Sequence, residues 1–165
     1  MPQLSKDGRH TVTLTLNGDE VTGYAEPRML LSDFLTHEIG ITSCHVGCEH
    51  GVCGACTVLV DGTVMRGCLT LAVQADGSTI ETAESLASDE NELSELQLAF
   101  KKHHGLQCGY CTPGILMSLT AYLKENPKPT EEELRDMLTG HLCRCTGYVG
   151  MVKAVLDYCE NRTDG

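Results

Sequence analysis

The chain has 165 residues, which is enough for one ordinary domain or two small ones. Its net charge of −11, from 12 basic and 23 acidic side chains, argues against nucleic acids and anionic membranes as partners, because both would be repelled. Ten cysteines are present, of which five lie between Cys44 and Cys68 and four between Cys108 and Cys145. Domains of half this length rarely fold on a hydrophobic core alone, so the distribution predicts two modules that are each stabilised by cysteine chemistry.

The sequence shows no pattern of export or membrane insertion. Residues 1–7 are polar, and the apolar segment of a secretory signal does not follow them. The longest apolar stretches are far shorter than the ~20 residues that cross a bilayer. We therefore expect a cytoplasmic protein without a membrane span. Because disulfides are rare in a reducing cytosol, metal binding is the preferred use of the cysteines.

The first half of the chain has the pattern of short strands around one helix. Residues 10–16 alternate between polar and apolar side chains, which predicts a strand. Asn17-Gly18 follows, and this pair favours a tight hairpin because both turn positions need positive φ. The remaining predicted elements are strands at 20–24, 57–60, 63–68 and 78–81, and a helix at 29–38 that Gly40 ends. This is an α+β plan in which a small sheet packs on a helix.

The second half changes to helix-forming segments. Thr112 as N-cap, with Pro113 in the first turn, predicts one helix start. Thr130 and Glu133 predict a capping box at the start of another. Four helices are predicted in all, at 92–104, 112–125, 130–139 and 146–158. They make a small all-α bundle, and we place the domain boundary so that residues 1–84 form the first domain and residues 85–165 the second.

The first cysteine group has the spacing of a plant-type [2Fe–2S] centre. Cys48, Cys53 and Cys56 follow the pattern C-x4-C-x2-C, and Cys68 is the natural fourth ligand. Glycines within the loop allow the backbone to wrap closely around a cluster. A structural zinc site is the alternative, but it usually has two separate cysteine pairs, whereas here Cys53 and Cys56 form one C-x2-C pair and Cys68 stands alone. Iron–sulfur is therefore favoured, and Cys44 is left as a free thiol.

The second cysteine group consists of Cys108 with Cys111 and of Cys143 with Cys145, each pair directly before a predicted helix start. Helix N-termini carry partial positive charge and free N–H groups, which favour thiolates. The C-x2-C spacing also suits zinc, whereas the C-x-C pair is less usual for zinc. Spacing alone therefore leaves both zinc and iron–sulfur open. Cys159 is expected to be a small core residue.

Outside the cysteine groups, the sequence has no pattern of a catalytic site. A Ser-His-Asp arrangement, a phosphate loop and a dinucleotide fingerprint are all missing, and the glycine-rich stretches lie beside cysteines. We therefore expect a chain that moves electrons and performs no substrate chemistry of its own.

Three motifs together resemble a known family. They read GCEHGVCGACTV at 47–58, QCGYCTPG at 107–114 and LCRCTGY at 142–148. In this order they resemble the iron–sulfur portion of the xanthine oxidase family of molybdenum hydroxylases. A separate chain of this length resembles the small subunit of the bacterial three-subunit enzymes of that family.

The resemblance implies a plant-ferredoxin-like (β-grasp) domain followed by an all-α four-helix domain, each with one [2Fe–2S] cluster. The implied ligands are Cys48, Cys53, Cys56 and Cys68 for the cluster nearer the flavin, and Cys108, Cys111, Cys143 and Cys145 for the cluster nearer the molybdopterin cofactor. It also implies that Gln107 and Cys145 approach the pterin.

Two partners are implied by the same resemblance: a large molybdopterin-binding subunit, where the substrate chemistry takes place, and a medium FAD-binding subunit. The complex would be a dimer of heterotrimers. Electrons would then pass from molybdenum through the helical-domain cluster and the ferredoxin-domain cluster to FAD. Two other functions stay open, an independent ferredoxin that serves several enzymes and a zinc-stabilised interaction module without a redox role. A cytochrome in place of FAD as the electron acceptor is also open.

Overall fold

The computed structural model describes residues 4–6, 8–87 and 92–162. Its first half contains a five-stranded sheet in the order β2-β1-β5-β3-β4. The strands are β1 (His10–Leu16), β2 (Asp19–Ala25), β3 (Thr57–Val60), β4 (Thr63–Arg66) and β5 (Thr79–Glu81). β1 pairs antiparallel with β2 and parallel with β5, and β3 pairs antiparallel with both β4 and β5. All five predicted strands are therefore present.

The alternating pattern of β1 determines which face of the sheet is buried. Val12, Leu14 and Leu16 are buried, whereas the threonines between them are only partly buried. The predicted hairpin follows, with Asn17 at φ 52° and Gly18 at φ 99°. The sheet therefore presents one apolar face to the rest of the first half.

A short helix covers this apolar face. It begins as α1 (Leu31–Asp33), continues as a π-helical segment (Phe34–Ile39) and ends at Gly40, which has φ 94°. Phe34 is fully buried, and a Cβ at Gly23 of β2 would lie only 2.9 Å from its ring. The helix predicted at 29–38 thus lies where it was expected, but most of it is π-helical, a feature that the apolar spacing does not signal.

Cys68 lies in a turn and not at the end of a strand. The strand predicted at 63–68 ends at Arg66, and the 3-10 turn Gly67–Leu69 follows. The amide of Gly67 donates to the carbonyl of Cys56 at 3.0 Å, which ends the pairing with β3. A Cβ at Gly67 would lie 3.2 Å from that same carbonyl oxygen, a close contact that glycine avoids.

The second half contains the four predicted helices. They are α2 (Glu95–Lys102), α3 (Thr112–Glu125), α4 (Glu131–Leu138) and α5 (Val149–Asn161). The predicted capping box is confirmed at α4, where Thr130 Oγ1 accepts from the Glu133 amide and the Glu133 carboxylate accepts from the Thr130 amide. Among the described residues, no helix is long and apolar enough to cross a membrane.

Two helix starts differ from the prediction. Cys111, and not Thr112, is the N-cap of α3, so that Thr112 and Pro113 lie within its first turn. α5 begins only at Val149, because Gly147 and Tyr148 both have left-handed backbone conformations, with φ 65° and 66°. Both cysteine pairs of the second group are therefore held in loops that lead directly into helices.

Each half has its own hydrophobic core. The first core lies between the sheet and α1, and the second lies among the four helices. Representative members are Val12, Leu14, Phe34, Val58 and Ile80 in the first core, and Phe100, Ile115, Leu119, Leu134 and Val155 in the second. The α+β architecture expected from the sequence is thus confirmed.

Candidate iron–sulfur centres

Backbone amides surround the first thiol of the first cysteine group. The amide of Cys53 donates to Cys48 Sγ at 3.4 Å. Hydrogen bonds from this amide and from the amides of His50 and Val52 lower the pKa of Cys48 to about 6. Because N–H dipoles that point at a sulfur stabilise its anionic form, this loop is built to hold a thiolate.

The other three thiols of the first group are buried. Cys53, Cys56 and Cys68 have 8, 1 and 3 % of their surface exposed. Burial raises the pKa of Cys68 to about 11, and a hydrogen bond with the Cys56 thiol contributes, although the amide of Gly51 acts in the opposite direction. The turn that carries Cys68 therefore brings it against Cys56, as the sequence spacing predicts for a fourth ligand.

Two glycines of this loop have conformations and surroundings that exclude a side chain. Gly51 has φ 80°, and a Cβ there would lie 2.4 Å from Leu69. Gly54 has φ 77°, and a Cβ there would lie 2.4 Å from His141 Nδ1. Left-handed conformations are disfavoured for residues with a Cβ, so glycine favours this tight wrapping at both positions. At Gly54 the backbone carbonyl of Gly140 would also lie only 2.8 Å from a Cβ.

The second cysteine group forms two close pairs of thiols. Cys145 Sγ lies 3.5 Å from Cys108 Sγ, and both residues are exposed. Cys111 is buried at the N-cap of α3 and hydrogen-bonds to Cys143. Burial raises the pKa of Cys111 to about 12, and its neighbour Cys143 adds to this. The two loops before α3 and α5 thus bring together all four predicted residues of this group.

Thr146 supports the thiolate form of Cys143. Its hydroxyl lies 3.2 Å and its amide 3.5 Å from Cys143 Sγ. Burial alone would raise the pKa of Cys143, but the hydrogen bonds from Thr146, together with those from the Cys145 amide and the Cys111 thiol, outweigh it and the pKa is lowered. Two of the hydrogen-bond donors to the sulfur of Cys143 therefore come from Thr146.

The donors of both groups fit a cluster of iron and sulfide. Four thiolates this close repel one another unless a cationic centre lies between them. In both groups the thiols hydrogen-bond in pairs, which suits a [2Fe–2S] cluster with two thiolates on each iron. Within the described ranges, no three or more His, Cys, Asp or Glu side chains are arranged around the position of a single metal ion.

Gln107 and Cys145 meet at the surface beside the second group. Gln107 Nε2 donates to the carbonyl oxygen of Cys145 at 3.1 Å, and both residues are exposed. Leu142 and Tyr110 lie in the same two loops and are 57 and 47 % exposed. The second group therefore reaches solvent beside large exposed side chains.

The first group is also flanked by exposed apolar side chains. Val52 lies in the cysteine loop and Leu69 directly follows Cys68, and the two are 56 and 63 % exposed. The buried thiols of the first group therefore lie beneath a rim that carries two exposed apolar side chains.

The two cysteine groups contact each other through several bonds. The amide of Leu142, next to Cys143, donates to the carbonyl of Cys53 at 2.9 Å. On another side, Tyr110 Oη donates to the carbonyl of Val46 at 2.8 Å, and the Tyr110 ring stacks on His45. The halves of the chain are therefore joined at the cysteine loops themselves.

The sequence predicts no ligand role for Cys44 and Cys159, and no contacts for Tyr110 and Tyr148. Cys44 is buried with its thiol 3.9 Å from the carbonyl of Cys56, and its assignment as a free thiol stays a prediction. Burial raises the pKa of Cys44 to about 12. Cys159 is free and packs against the helical core, as expected. The contacts of Tyr110 and Tyr148 were not foreseen, although both tyrosines lie inside cysteine motifs where a hydroxyl has polar loop atoms within reach.

Two family models match the chain. A 2Fe-2S iron-sulfur cluster binding domain matches residues 14–108, and a [2Fe-2S] binding domain matches residues 82–156. The first range contains the whole first cysteine group and the second range contains the whole second group. Both groups therefore belong to 2Fe-2S-binding domains, and the zinc alternative is set aside.

Relatives of similar length agree with these models. The chain is 51 % identical over 153 residues to the nicotine 6-hydroxylase small subunit of Paenarthrobacter nicotinovorans, covering 93 % of this chain and 92 % of the relative. It is 49 % identical over 149 residues to caffeine dehydrogenase subunit gamma of Pseudomonas sp. (strain CBB1), covering 88 and 89 %.

A solved structure confirms the fold. Quinoline 2-oxidoreductase from Pseudomonas putida 86 contains a chain that superposes with a TM-score of 0.90 at 47 % identity, covering 94 % of this chain and 96 % of that one. The order of a ferredoxin-like domain and a helical domain is thereby confirmed. This chain belongs to the iron–sulfur small subunits of the xanthine oxidase family of molybdenum hydroxylases.

Proposed function

We propose that this chain relays electrons from the molybdopterin site of a large subunit through two [2Fe–2S] clusters to FAD on a medium subunit. When bound, such a cluster accepts and releases one electron at a time. The observation that carries the proposal is the direct hydrogen bond between Cys53 of the first group and Leu142, which precedes Cys143 of the second. A carrier between separate enzymes needs only one site, whereas two sites in contact suit a relay.

We assign four thiolates to each cluster. The ligands are Cys48, Cys53, Cys56 and Cys68 in the ferredoxin half, and Cys108, Cys111, Cys143 and Cys145 in the helical half. Amides directed at Cys48 and the two Thr146 donors at Cys143 support the assignment, because both stabilise ligand sulfur that carries negative charge. Cys44 and Cys159 are not assigned, since each lies outside these pairs of thiols.

The helical half is proposed to face the molybdopterin subunit. Cys108 and Cys145 are its exposed thiols, and Gln107 is fixed to the carbonyl of Cys145. An exposed amide side chain has donors and an acceptor for the polar edge of a pterin. Gln107 and Cys145 are therefore the residues through which electrons enter the chain.

The ferredoxin half is proposed to face the FAD subunit. Its thiols are shielded by the loop, but Val52 and Leu69 on the rim are more than half exposed. Covering these side chains by a partner would exclude water between the cluster and the flavin. Electrons would leave the chain on this side.

The assembly, compartment and domain limits are proposed in the same way. We propose a dimer of heterotrimers in the cytoplasm, where the ten free cysteines stay reduced until iron is bound. We place the domain boundary between residues 84 and 85. Glu84 hydrogen-bonds to Ser43 in the ferredoxin half, whereas Leu86 packs against the helical core, which supports that position.

Isolation of the native complex tests the relay. The chain would be tagged, purified without oxygen together with its bound partners, and analysed for subunits, molybdenum and FAD. The proposal predicts a large subunit with molybdopterin and a medium subunit with FAD, at equal stoichiometry with this chain. A chain that carries both clusters but is isolated alone from the cell would contradict the relay and favour an independent ferredoxin. A cytochrome in place of the FAD subunit would contradict the acceptor assignment.

A further inference from the structure

The side chain of Tyr148 bridges the two sides of the turn before Cys143. Its hydroxyl accepts from the amide of Cys143 at 2.8 Å and donates to the carbonyl of His141 at 3.0 Å. A carbonyl only accepts and an amide N–H only donates, so the phenol proton must point at His141. The phenol thus closes the loop immediately before a thiol of the helical half.

The backbone of Tyr148 reaches the same thiol through Thr146. Its amide donates to Thr146 Oγ1 at 3.2 Å, and that oxygen lies 3.2 Å from Cys143 Sγ. A thiolate can only accept, so the hydroxyl of Thr146 accepts from Tyr148 and donates to the sulfur. Consecutive hydrogen bonds of this kind polarise one another, which strengthens the donor at the sulfur.

Tyr148 has a backbone conformation that residues with a Cβ disfavour. Its φ of 66° follows directly on the φ of 65° at Gly147. Such conformations persist only where surrounding contacts fix them, and they are frequent at functional sites. Here the fixing contacts are those to His141, Cys143 and Thr146. One strained residue therefore places both a hydroxyl and an amide on the loop that holds Cys143.

We propose that Tyr148 is a positioning residue: its hydroxyl binds the Cys143 amide and the His141 carbonyl, fixes the loop in which Thr146 donates to Cys143 Sγ, and so raises the reduction potential of the helical-half cluster. The inference rests on the proposed function, in which Cys143 is a ligand of that cluster. A hydrogen bond to a ligand sulfur withdraws charge from the cluster and favours its reduced form. The reaction affected is the addition of one electron, in which the hydrogen bonds of Tyr148 and Thr146 stay intact and their protons stay in place.

The test is a redox titration of the purified native complex, followed by low-temperature electron paramagnetic resonance. Tyr148→Phe removes the hydroxyl that fixes the loop and keeps the backbone amide that donates to Thr146. Thr146→Val removes the hydroxyl donor to Cys143 Sγ at nearly constant shape and keeps the amide donor. Both variants are expected to lower the equilibrium constant for reduction of the helical-half cluster about tenfold, which corresponds to a midpoint about 59 mV more negative. Thr146→Ser keeps the hydroxyl and should restore the wild-type midpoint.

Two controls separate a local effect from general loosening. Tyr122→Phe makes the same chemical change on α3, where the ring packs against the helical core and the residue lies outside the three cysteine motifs. This variant should leave both midpoints unchanged. The ferredoxin-half signal should keep its midpoint in every variant, because Tyr148 contacts the loop of the other cluster.

The outcomes distinguish this inference from the proposed function. A wild-type complex with one cluster signal would overturn both. Two wild-type signals whose midpoints stay the same in Tyr148→Phe and Thr146→Val would overturn only the role of Tyr148. Equal shifts of both signals would also overturn it, since they would report a loosened protein. If Tyr148→Phe does not assemble, an unchanged midpoint in Thr146→Val still overturns the proposal, because the hydroxyl donor that Tyr148 is proposed to position would then have no effect on the cluster.

Discussion

The carbonyl oxygen of Cys53 accepts a hydrogen bond from the amide of Leu142 at 2.9 Å, and this bond joins the two cysteine loops. Gly114 of α3 packs on the same loop so closely that a Cβ there would lie 2.2 Å from the carbonyl oxygen of Gly54. His141 fills the space on the other side of Gly54. The two cysteine loops therefore pack directly on each other. We call this contact, formed by Cys53, Gly54, Gly114, His141 and Leu142, the junction.

Substituting Cys53→Ser should remove the ferredoxin-half cluster and leave the other in place. Serine keeps the size but is a poor ligand for iron, so iron content should fall from about four to about two per chain. Electron paramagnetic resonance of the reduced protein should show only the helical-half signal. Cys44→Ala is the matched control, because Cys44 lies in the same half but is not an assigned ligand, and it should keep both signals.

Substituting Cys111→Ser should remove the helical-half cluster and block electrons at the first step. The ferredoxin-half signal should persist after chemical reduction, whereas the substrate of the complex should no longer reduce FAD. Rapid-mixing absorbance of the flavin measures this directly. Cys159→Ser, which changes a partly buried cysteine outside both groups, should reduce FAD at the wild-type rate. Full turnover of Cys111→Ser with the natural acceptor would contradict the relay.

Gly54→Ala should lower the free energy of unfolding more than Gly62→Ala, the matched substitution outside the junction. Gly54 and Gly62 share φ 77°, but a Cβ at Gly62 meets nothing within 4 Å. Gly62→Ala should therefore cost only about 1–2 kcal/mol for the left-handed conformation. At Gly54 the Cβ also overlaps His141 and the carbonyl of Gly140, which adds roughly 1–3 kcal/mol of overpacking.

Unfolding of the cluster-loaded protein by denaturant measures the difference between the two glycine variants. Equal free energies of unfolding for Gly54→Ala and Gly62→Ala would show that the loop can move away from His141. In that case the junction would be looser than the contacts indicate.

Glu84 should make the ferredoxin half sensitive to acid. Its carboxylate accepts from the amide of Ser43 at 3.0 Å and from the hydroxyl of Thr82 at 2.6 Å. Burial would raise the pKa of Glu84, but hydrogen bonds from Ser43 and Thr82 outweigh it and the pKa is lowered. A carboxyl with a lowered folded-state pKa stabilises the fold above its unfolded value of about 4.3, and this contribution is lost as the pH falls through the folded-state pKa.

The difference in melting temperature between wild type and Glu84→Gln measures this contribution. It should be largest near neutral pH and should shrink below about pH 4. The exposed Glu125 on α3 provides the control, since Glu125→Gln should give a small difference at every pH. A difference for Glu84→Gln that stays constant from neutral to acid pH would contradict the role of the ionised carboxylate.

Local patterns predicted much of this fold because the elements follow from neighbouring residues. The alternation at 10–16 specifies β1, Asn17-Gly18 specifies its hairpin, and Thr130 with Glu133 specifies the start of α4. Cysteine spacing also indicated which residues meet, since the structure brings together both predicted groups. These signals all act over a few residues or depend on ligand chemistry.

Features that depend on contacts between distant segments were not predictable. The polar run that holds Glu84 has the composition of a linker, and only folding brings Ser43 to its carboxylate. Cys111 rather than Thr112 caps α3, and Cys68 lies in a turn that Gly67 makes against Cys56. The role of Tyr148 depends on a left-handed conformation that tyrosine rarely adopts, so the sequence carries no signal for it.

We propose that the chain holds two [2Fe–2S] clusters in one relay. The most direct test is low-temperature electron paramagnetic resonance of the anaerobically purified, reduced protein, together with its iron and acid-labile sulfide content. Two distinct rhombic signals and about four irons and four sulfides per chain are expected. A single signal with about two irons, or zinc in the helical half, would contradict it and leave a simple ferredoxin.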